Sequence, residues 1–96
     1  MVQVQGPDKR RSVVVLTREP AITYLGETTI APITRTIRGI PSEVILTVED
    51  GMPTECAINL DHVQTIDKAR LGALITTLDE DRMKSLRRAL LFALGF

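Results

Sequence analysis

Short runs of β-branched and apolar residues recur through most of the chain and predict a succession of strands. Residues 2–5 alternate apolar and polar side chains, which indicates an edge strand, whereas residues 12–16 are mostly apolar and indicate a strand covered on both faces. Residues 27–33 form a third candidate, in which Pro32 lacks a hydrogen-bond donor and so predicts an edge or a bulge. The remaining strands are predicted at residues 43–48, 57–60, 63–66 and 73–78.

The last segment of the chain has the spacing of an amphipathic helix. Asp79 is a suitable N-cap, and Gly95 is a suitable stop. Between them, apolar residues recur every three or four positions, at Met83, Leu86, Leu90 and Ala93. Asp67 is also a suitable cap for one helical turn at residues 68–71.

Six or seven short strands and one helix in 96 residues predict a mainly β fold with some α structure. So short a chain favours a small, strongly bent antiparallel barrel of the SH3-like kind over a sandwich, which needs more residues. We therefore expect a single domain over residues 1–96, closed by a C-terminal amphipathic helix.

Composition narrows the class of protein. The chain is 44% hydrophobic and 25% charged, as in an ordinary globular protein, and no apolar run approaches the roughly 18–20 residues of a membrane span. The first residues lack the apolar core of a secretion signal, so we expect a cytoplasmic protein without a membrane partner. Cys56 is the only cysteine and His62 the only histidine, which excludes an internal disulfide and argues against a zinc site.

Charge is unevenly distributed although twelve basic and twelve acidic residues cancel. Residues 1–40 contain six basic and three acidic residues, and residues 41–96 contain six basic and nine acidic residues. Residues 34–41 are predicted to form a polar, basic loop. A surface with grouped positive charge can therefore bind an anionic partner even when the net charge is zero.

Three ordered segments carry a resemblance to a known family. They are residues 8–17 (DKRRSVVVLT), 31–34 (APIT) and 59–66 (NLDHVQTI), followed by the apolar end ALLFALGF. In this order and spacing they resemble the MazF/PemK family of toxins from type II toxin–antitoxin systems, over residues 8–96. The resemblance implies a homodimeric SH3-like barrel that cleaves single-stranded RNA at short sequences. It also implies that no metal or other cofactor is used and that a cognate antitoxin holds the toxin inactive.

The chain departs from the family pattern near its start. The family usually has a longer, aromatic-rich first strand and a long loop, and Ser12 replaces the usual proline after the leading arginine. Many relatives hold part of the RNA with the missing segment, so the cleavage sequence is not predicted here.

The resemblance assigns catalytic roles to Arg11, Thr34 and Asp61. The Arg11 guanidinium would grip two phosphate oxygens, and the Thr34 hydroxyl would donate to the scissile phosphate. Asp61 matches an acidic position that some members use as general base. The alternative interpretations are a surface cation, a β-forming threonine beside a loop, and a structural aspartate at a turn.

Other polar residues are candidates for binding RNA. If the strand continued through residues 59–61, Asn59 and Asp61 would share one face and His62 would point to the other, away from Asp61. A turn at this point would break that rule. A lone histidine beside a strand is more often a surface or dimer-contact residue, so His62 is left out of the predicted catalytic set. The predicted RNA-binding residues are Lys9, Arg10, Arg35, Thr36, Arg38 and Gln64.

Two other functions stay open from the sequence. A gyrase-poisoning branch shares the barrel and uses its C-terminal helix end, which residues 94–96 resemble loosely. A toxin-fold protein that binds without cleaving is the second. Phe92 and Phe96 are predicted to pack in a dimer, to receive an antitoxin, or to pack in the core.

Overall fold

The computed structural model describes residues 2–5, 12–17 and 24–96, the first four by their backbone alone. The strands are β1 Val2–Gln5, β2 Ser12–Val15, β3 Glu27–Thr34, β4 Glu43–Leu46, β5 Cys56–Asn59, β6 Gln64–Asp67 and β7 Leu74–Thr77. Single 3₁₀ turns occur at Val48–Asp50, Leu60–His62 and Lys68–Arg70, and helix α1 is Glu80–Ala93.

The seven strands form one antiparallel sheet in the order β4-β5-β3-β2-β1-β7, and β6 also pairs with β3. The described strands β4 and β7 at the two ends do not pair with each other, so the sheet is not closed. A small mixed fold with an antiparallel sheet and a C-terminal helix is thus confirmed, and the closed barrel stays a prediction.

Strand β1 was predicted at a sheet edge, and this was wrong. It lies between β2 and β7, with Val4 opposite both Val13 and Leu74. Alternation of polar and apolar residues reports how the two faces are covered, not how many strands flank the backbone. The flanking strand β7 comes about 70 residues later in the chain, which a local pattern does not reveal.

Strand β2 is covered on both faces, as its run of valines predicts. Val14 belongs to the main core, which also contains Leu46, Ile58 and Leu86. Its neighbours Val13 and Val15 point to the other face, into a second cluster completed by Ile30, Ile66 and Leu71. Because all three valines are buried, β2 separates the two hydrophobic clusters.

Pro32 lies opposite Val13, in the part of β3 that pairs with β2. The Leu16 amide donates to the Thr29 carbonyl, so odd-numbered residues of β3 direct their backbone groups toward β2 and Pro32 faces the opposite edge. On that edge, β6 pairs with residues 27–30 and β5 with residues 33–34. Between these two pairings, the segment that joins β5 to β6 turns away from β3 at Leu60–His62. The predicted irregularity therefore exists, but in the chain beside β3.

Helix α1 follows its predicted pattern. The Asp79 carboxylate accepts a hydrogen bond from the Arg82 amide at 2.8 Å, which caps the helix. Leu86 and Ala89 are buried in the main core, and Met83, Leu90 and Ala93 pack against it. Nothing helical in the described parts of the chain has the length and apolarity that a membrane crossing requires.

The last turn of α1 leaves apolar side chains outside the core. Phe92 is 57% exposed and Phe96 is 90% exposed. Leu91 and Leu94 beside them are also exposed. The core-packing alternative for the two phenylalanines is therefore wrong, and this end of the helix has an apolar surface.

One ion pair joins α1 to the chain that follows β4. Arg82 Nε donates to both carboxylate oxygens of Asp50, at 2.9 and 3.1 Å, and Asp50 also accepts from the Thr47 amide at 2.8 Å. Burial raises the pKa of the Asp50 carboxyl, but the hydrogen bonds from Arg82 and Thr47 outweigh burial and hold the pKa below its ordinary value of 3.8. The ionised carboxylate therefore stabilises the folded state.

We predict that Asp50→Asn lowers the free energy of unfolding by about 1–3 kcal/mol at pH 7, since it removes charge-assisted hydrogen bonds. A carboxyl with a lowered pKa in the folded state stabilises it above the ordinary pKa and loses this effect as pH falls through the folded value. The difference between wild type and variant in urea unfolding should therefore shrink below pH 3.8. Glu49→Gln, an exposed neighbour, is the control and should change stability by less than about 0.5 kcal/mol. A difference that persists unchanged at pH 2.5 would contradict the assignment.

Candidate active site

A cleft of about 560 Å³ opens where the start of β2 meets the end of β3 and the loop after it. Polar and charged groups form much of its wall, and Cys56 and Met52 add apolar surface. The lining residues are Ser12, Pro32, Ile33, Thr34, Arg35, Thr36, Arg38, Glu43, Met52, Pro53, Thr54, Cys56, Asn59 and His62.

The loop between β3 and β4 is fixed by two side chains. Thr34, the last residue of β3, accepts a hydrogen bond from the Thr36 amide at 3.1 Å. Glu43, the first residue of β4, accepts from the consecutive amides of Arg38 and Gly39 through the same Oε1 atom, each at 3.0 Å. Gly39 has a φ of +70°, which glycine adopts without strain. Glu43 therefore holds the loop in the shape that places its cations along the cleft.

The second oxygen of Glu43 is buried and has no hydrogen-bond partner among the residues that the structure describes. Among the described residues lining the cleft, Glu43 is the only carboxylate, and it faces the same space as Arg35 and Arg38. The cleft thus combines two guanidinium groups with one carboxylate that is already engaged by the backbone.

The turn Leu60–His62 separates two neighbouring side chains. Asn59 caps the turn by accepting from the Asp61 amide at 2.9 Å. The buried Ser42 hydroxyl donates to Asp61 Oδ2 at 2.5 Å, and the Ser42 carbonyl accepts from the Leu60 amide. Asp61 is held toward Ser42, while His62 lines the cleft. The turn thus breaks the strand alternation from which opposite faces were inferred for Asp61 and His62.

The structure brings together part of the predicted site. Thr34, Arg35, Thr36 and Arg38 all line the cleft. Arg11, Lys9 and Arg10 lie outside the described residues, although Ser12, which follows Arg11 in the chain, lines the cleft. Asp61 and Gln64 are exposed and are not among the lining residues.

Asn59, His62, Glu43 and Cys56 also line the cleft but were not placed there from the sequence. An asparagine three positions before His62 is a capping signal, and it could have indicated the turn. Burial, followed by the charge of Asp50, raises the pKa of the Cys56 thiol above its ordinary value of 9.0, so the thiol stays protonated at neutral pH. Across the described ranges, no three His, Cys, Asp or Glu side chains are grouped so that they could hold a metal ion.

The sequence matches the family described as "PemK-like, MazF-like toxin of type II toxin-antitoxin system" over residues 2–94. The chain belongs to this family. The resemblance found from the ordered motifs is thus confirmed.

Named members of the PemK/MazF family align along most of the chain. "Probable endoribonuclease MazF5" of Mycobacterium tuberculosis is 43% identical over 82 residues, which cover 84% of this chain and 75% of the relative. "Probable endoribonuclease MazF2" of the same organism is 37% identical over 78 residues, or 80% of this chain and 76% of the relative. The solved structure of Mycobacterium tuberculosis toxin MazF-mt6 superimposes with a TM-score of 0.90 at 33% identity, covering 99% of this chain and 96% of that one.

We predict that Glu43→Ala speeds amide hydrogen exchange at Arg38 and Gly39 by about tenfold, since each amide loses an acceptor worth about 1–1.5 kcal/mol. Glu43→Gln is the matched control, because its amide oxygen can still accept both bonds and exchange should stay close to wild type. Exchange measured by NMR at single amides tests this. Equal protection in wild type and Glu43→Ala would show that the loop holds its shape without the side chain.

Proposed function

We propose that this PemK/MazF-family chain is an endoribonuclease toxin that cleaves single-stranded RNA at short sequences in the cytoplasm and is neutralised by a cognate antitoxin. The observation that carries the proposal is the cleft in which Thr34, Arg35, Thr36 and Arg38 meet the start of β2. Four of the residues predicted for RNA chemistry thereby share one surface. Membership of a toxin–antitoxin family and kinship to proteins named endoribonucleases support the same activity.

The reaction that fits such a cleft uses the nucleophile of the substrate. The 2′-OH of the RNA attacks the adjacent phosphorus, the new O2′–P bond forms and the P–O5′ bond breaks. The products are a 2′,3′-cyclic phosphate and a 5′-hydroxyl. DNA has no 2′-OH, so the reaction is specific for RNA, and no metal is needed to create a nucleophile.

The main task of the protein in this reaction is to stabilise the negative charge that develops on the phosphate in the transition state. We propose that Arg11, the residue before Ser12, and Thr34 hold the scissile phosphate, because guanidinium and hydroxyl groups donate to the oxygens on which charge develops. Arg35 and Arg38 line the same cleft and would contact the RNA backbone together with Lys9 and Arg10. We propose that Thr36, which also lines the cleft, contacts a base.

Two predicted residues lie apart from these groups. The catalytic role of Asp61 stays a prediction, and its hydrogen bond from Ser42 supports a structural role in the turn. Gln64 lies on β6 opposite Ile30, and its contact with RNA also stays a prediction.

The proposed toxin is a homodimer, with residues 1–96 forming one SH3-like domain. The apolar end of α1, with Phe92 and Phe96 exposed, supports a contact with a second copy. Two copies would also double the grouped positive charge beside the cleft, which favours binding of a polyanion.

We predict that the purified chain cleaves a long single-stranded RNA in the presence of EDTA and leaves DNA of the same sequence intact. Arg11→Ala and Thr34→Val should each lower the cleavage rate by about 100-fold or more, because each removes a donor to the transition state. Mapping of the product ends should reveal 2′,3′-cyclic or 3′-phosphate termini.

The control for this experiment is Arg87→Ala, which removes the same charge from an exposed position on α1 away from the cleft and should cleave like wild type. If wild type and Arg11→Ala both leave a diverse RNA pool uncleaved, the proposed activity is wrong.

We predict that the double variant Phe92→Ser, Phe96→Ser elutes as a monomer, whereas wild type has about twice the chain mass of 10.6 kDa by light scattering. Removing exposed aromatic surface weakens an apolar interface. Val48→Ser, which changes a 67% exposed side chain in the turn before Gly51, should remain dimeric. A monomeric wild type, or a double variant that stays dimeric, would contradict the proposed interface.

A further inference from the structure

We propose that His62 is the general base of the cleft, accepting the proton of the RNA 2′-OH. This inference rests on the proposed function and gives His62 the general-base role that the family resemblance assigned to Asp61. The carrying observation is the turn Leu60–His62, which directs Asp61 toward Ser42 and brings His62 to the wall that Thr34 also lines.

The other titratable groups of the described cleft wall are unsuited to this step. Glu43 Oε1 already accepts two backbone hydrogen bonds, and its Oε2 is buried. Cys56 is buried and its thiol stays protonated at neutral pH. The guanidinium groups of Arg35 and Arg38 carry no available lone pair. An exposed imidazole is the remaining group, and imidazole is the side chain that exchanges protons between about pH 5 and 8.

The titratable and charged groups that share the cleft with His62, or pack against its turn, come from four elements and from the turn itself. The loop after β3 contributes Arg35 and Arg38, β4 contributes Glu43, and β5 contributes Cys56. Asp61 precedes His62 and is bonded to Ser42. Helix α1 also packs against the turn, but none of its charged residues lines the cleft.

A ring nitrogen of neutral His62 takes the 2′-OH proton as O2′ bonds to phosphorus. The electron pair of the broken P–O5′ bond stays on O5′, which takes a proton from water. The imidazolium then returns its proton to solvent, and the released ends are the cyclic phosphate and the 5′-hydroxyl.

The test is the pH dependence of single-turnover cleavage, measured on the RNA site that end mapping identifies. Wild type should gain rate with pH along an ascending limb between about pH 5 and 8. His62→Gln should lose this limb and cleave about 100-fold or more slowly at pH 8, while binding of a non-cleavable RNA with a 2′-deoxy group at the site changes less than about threefold. Asp61→Asn, the neighbouring change on the other side of the turn, should keep the limb.

Two further measurements separate a base from other roles. Free imidazole should restore cleavage to His62→Gly, since it replaces the missing proton acceptor. A substrate with sulfur in place of the bridging O5′ has a leaving group that needs no proton. It should therefore restore the cleavage rate of a variant that lacks a general acid, whereas His62→Gln, which lacks the base, should stay slow.

The inference and the proposed function fail in different ways. If wild type cleaves RNA and His62→Gln keeps the ascending limb, the proposed role of His62 is wrong and the proposed function stands. Loss of the limb in Asp61→Asn, or restoration of His62→Gln by the sulfur substrate, also overturns the role of His62. A wild type that does not cleave RNA overturns both.

Discussion

The fold depends on how β5 and β6 share one edge of β3, the edge that faces away from β2. Strand β6 pairs with residues 27–30 and β5 with residues 33–34, so one continuous segment of chain covers this edge in two pieces. The two registers differ by three residues, which the 3₁₀ turn Leu60–His62 accommodates. Pro32 lies at the gap and has no amide hydrogen to offer a partner strand. An unbroken ladder would lack a backbone donor at Pro32, so the interruption falls where pairing is weakest.

The same interruption creates the cleft wall. A continuous strand would alternate Asn59, Leu60, Asp61 and His62 between the two faces of the sheet. In the turn, Leu60 is buried in the main core, Asp61 is bonded to Ser42, and Asn59 and His62 line the cleft. Thus a backbone irregularity sets which of two neighbouring titratable groups lines the cleft together with Thr34.

Features with local causes could be predicted from the sequence, and features with distant partners could not. The Asp79 cap, the apolar face of α1 and the doubly covered valines of β2 follow from neighbouring residues. The position of β1 beside β7 depends on a strand far along the chain, so its alternation suggested an edge that does not exist. In the site, Thr34 from the ordered motifs and Arg35, Thr36 and Arg38 from the basic loop line one cleft, and their roles stay predictions. The motifs did not indicate Glu43. Its carboxylate accepts hydrogen bonds from backbone amides of the preceding loop, and no residue spacing in the sequence signals such bonds.

Helix α1 contacts two segments of chain that line the cleft. It packs against the turn that carries His62, and through Arg82 it holds Asp50, two residues before Met52, which also lines the cleft. Gly51 between them has a φ of +92°, and a Cβ there would lie 3.0 Å from Thr76 Oγ1, so this segment is also pressed against β7. The apolar groups at the opposite end of α1 are exposed, while its first turn and middle are fixed by an ion pair and the core. The helix therefore combines two tasks along its length: its first three turns hold the cleft walls in place, and its last turn is available for a partner.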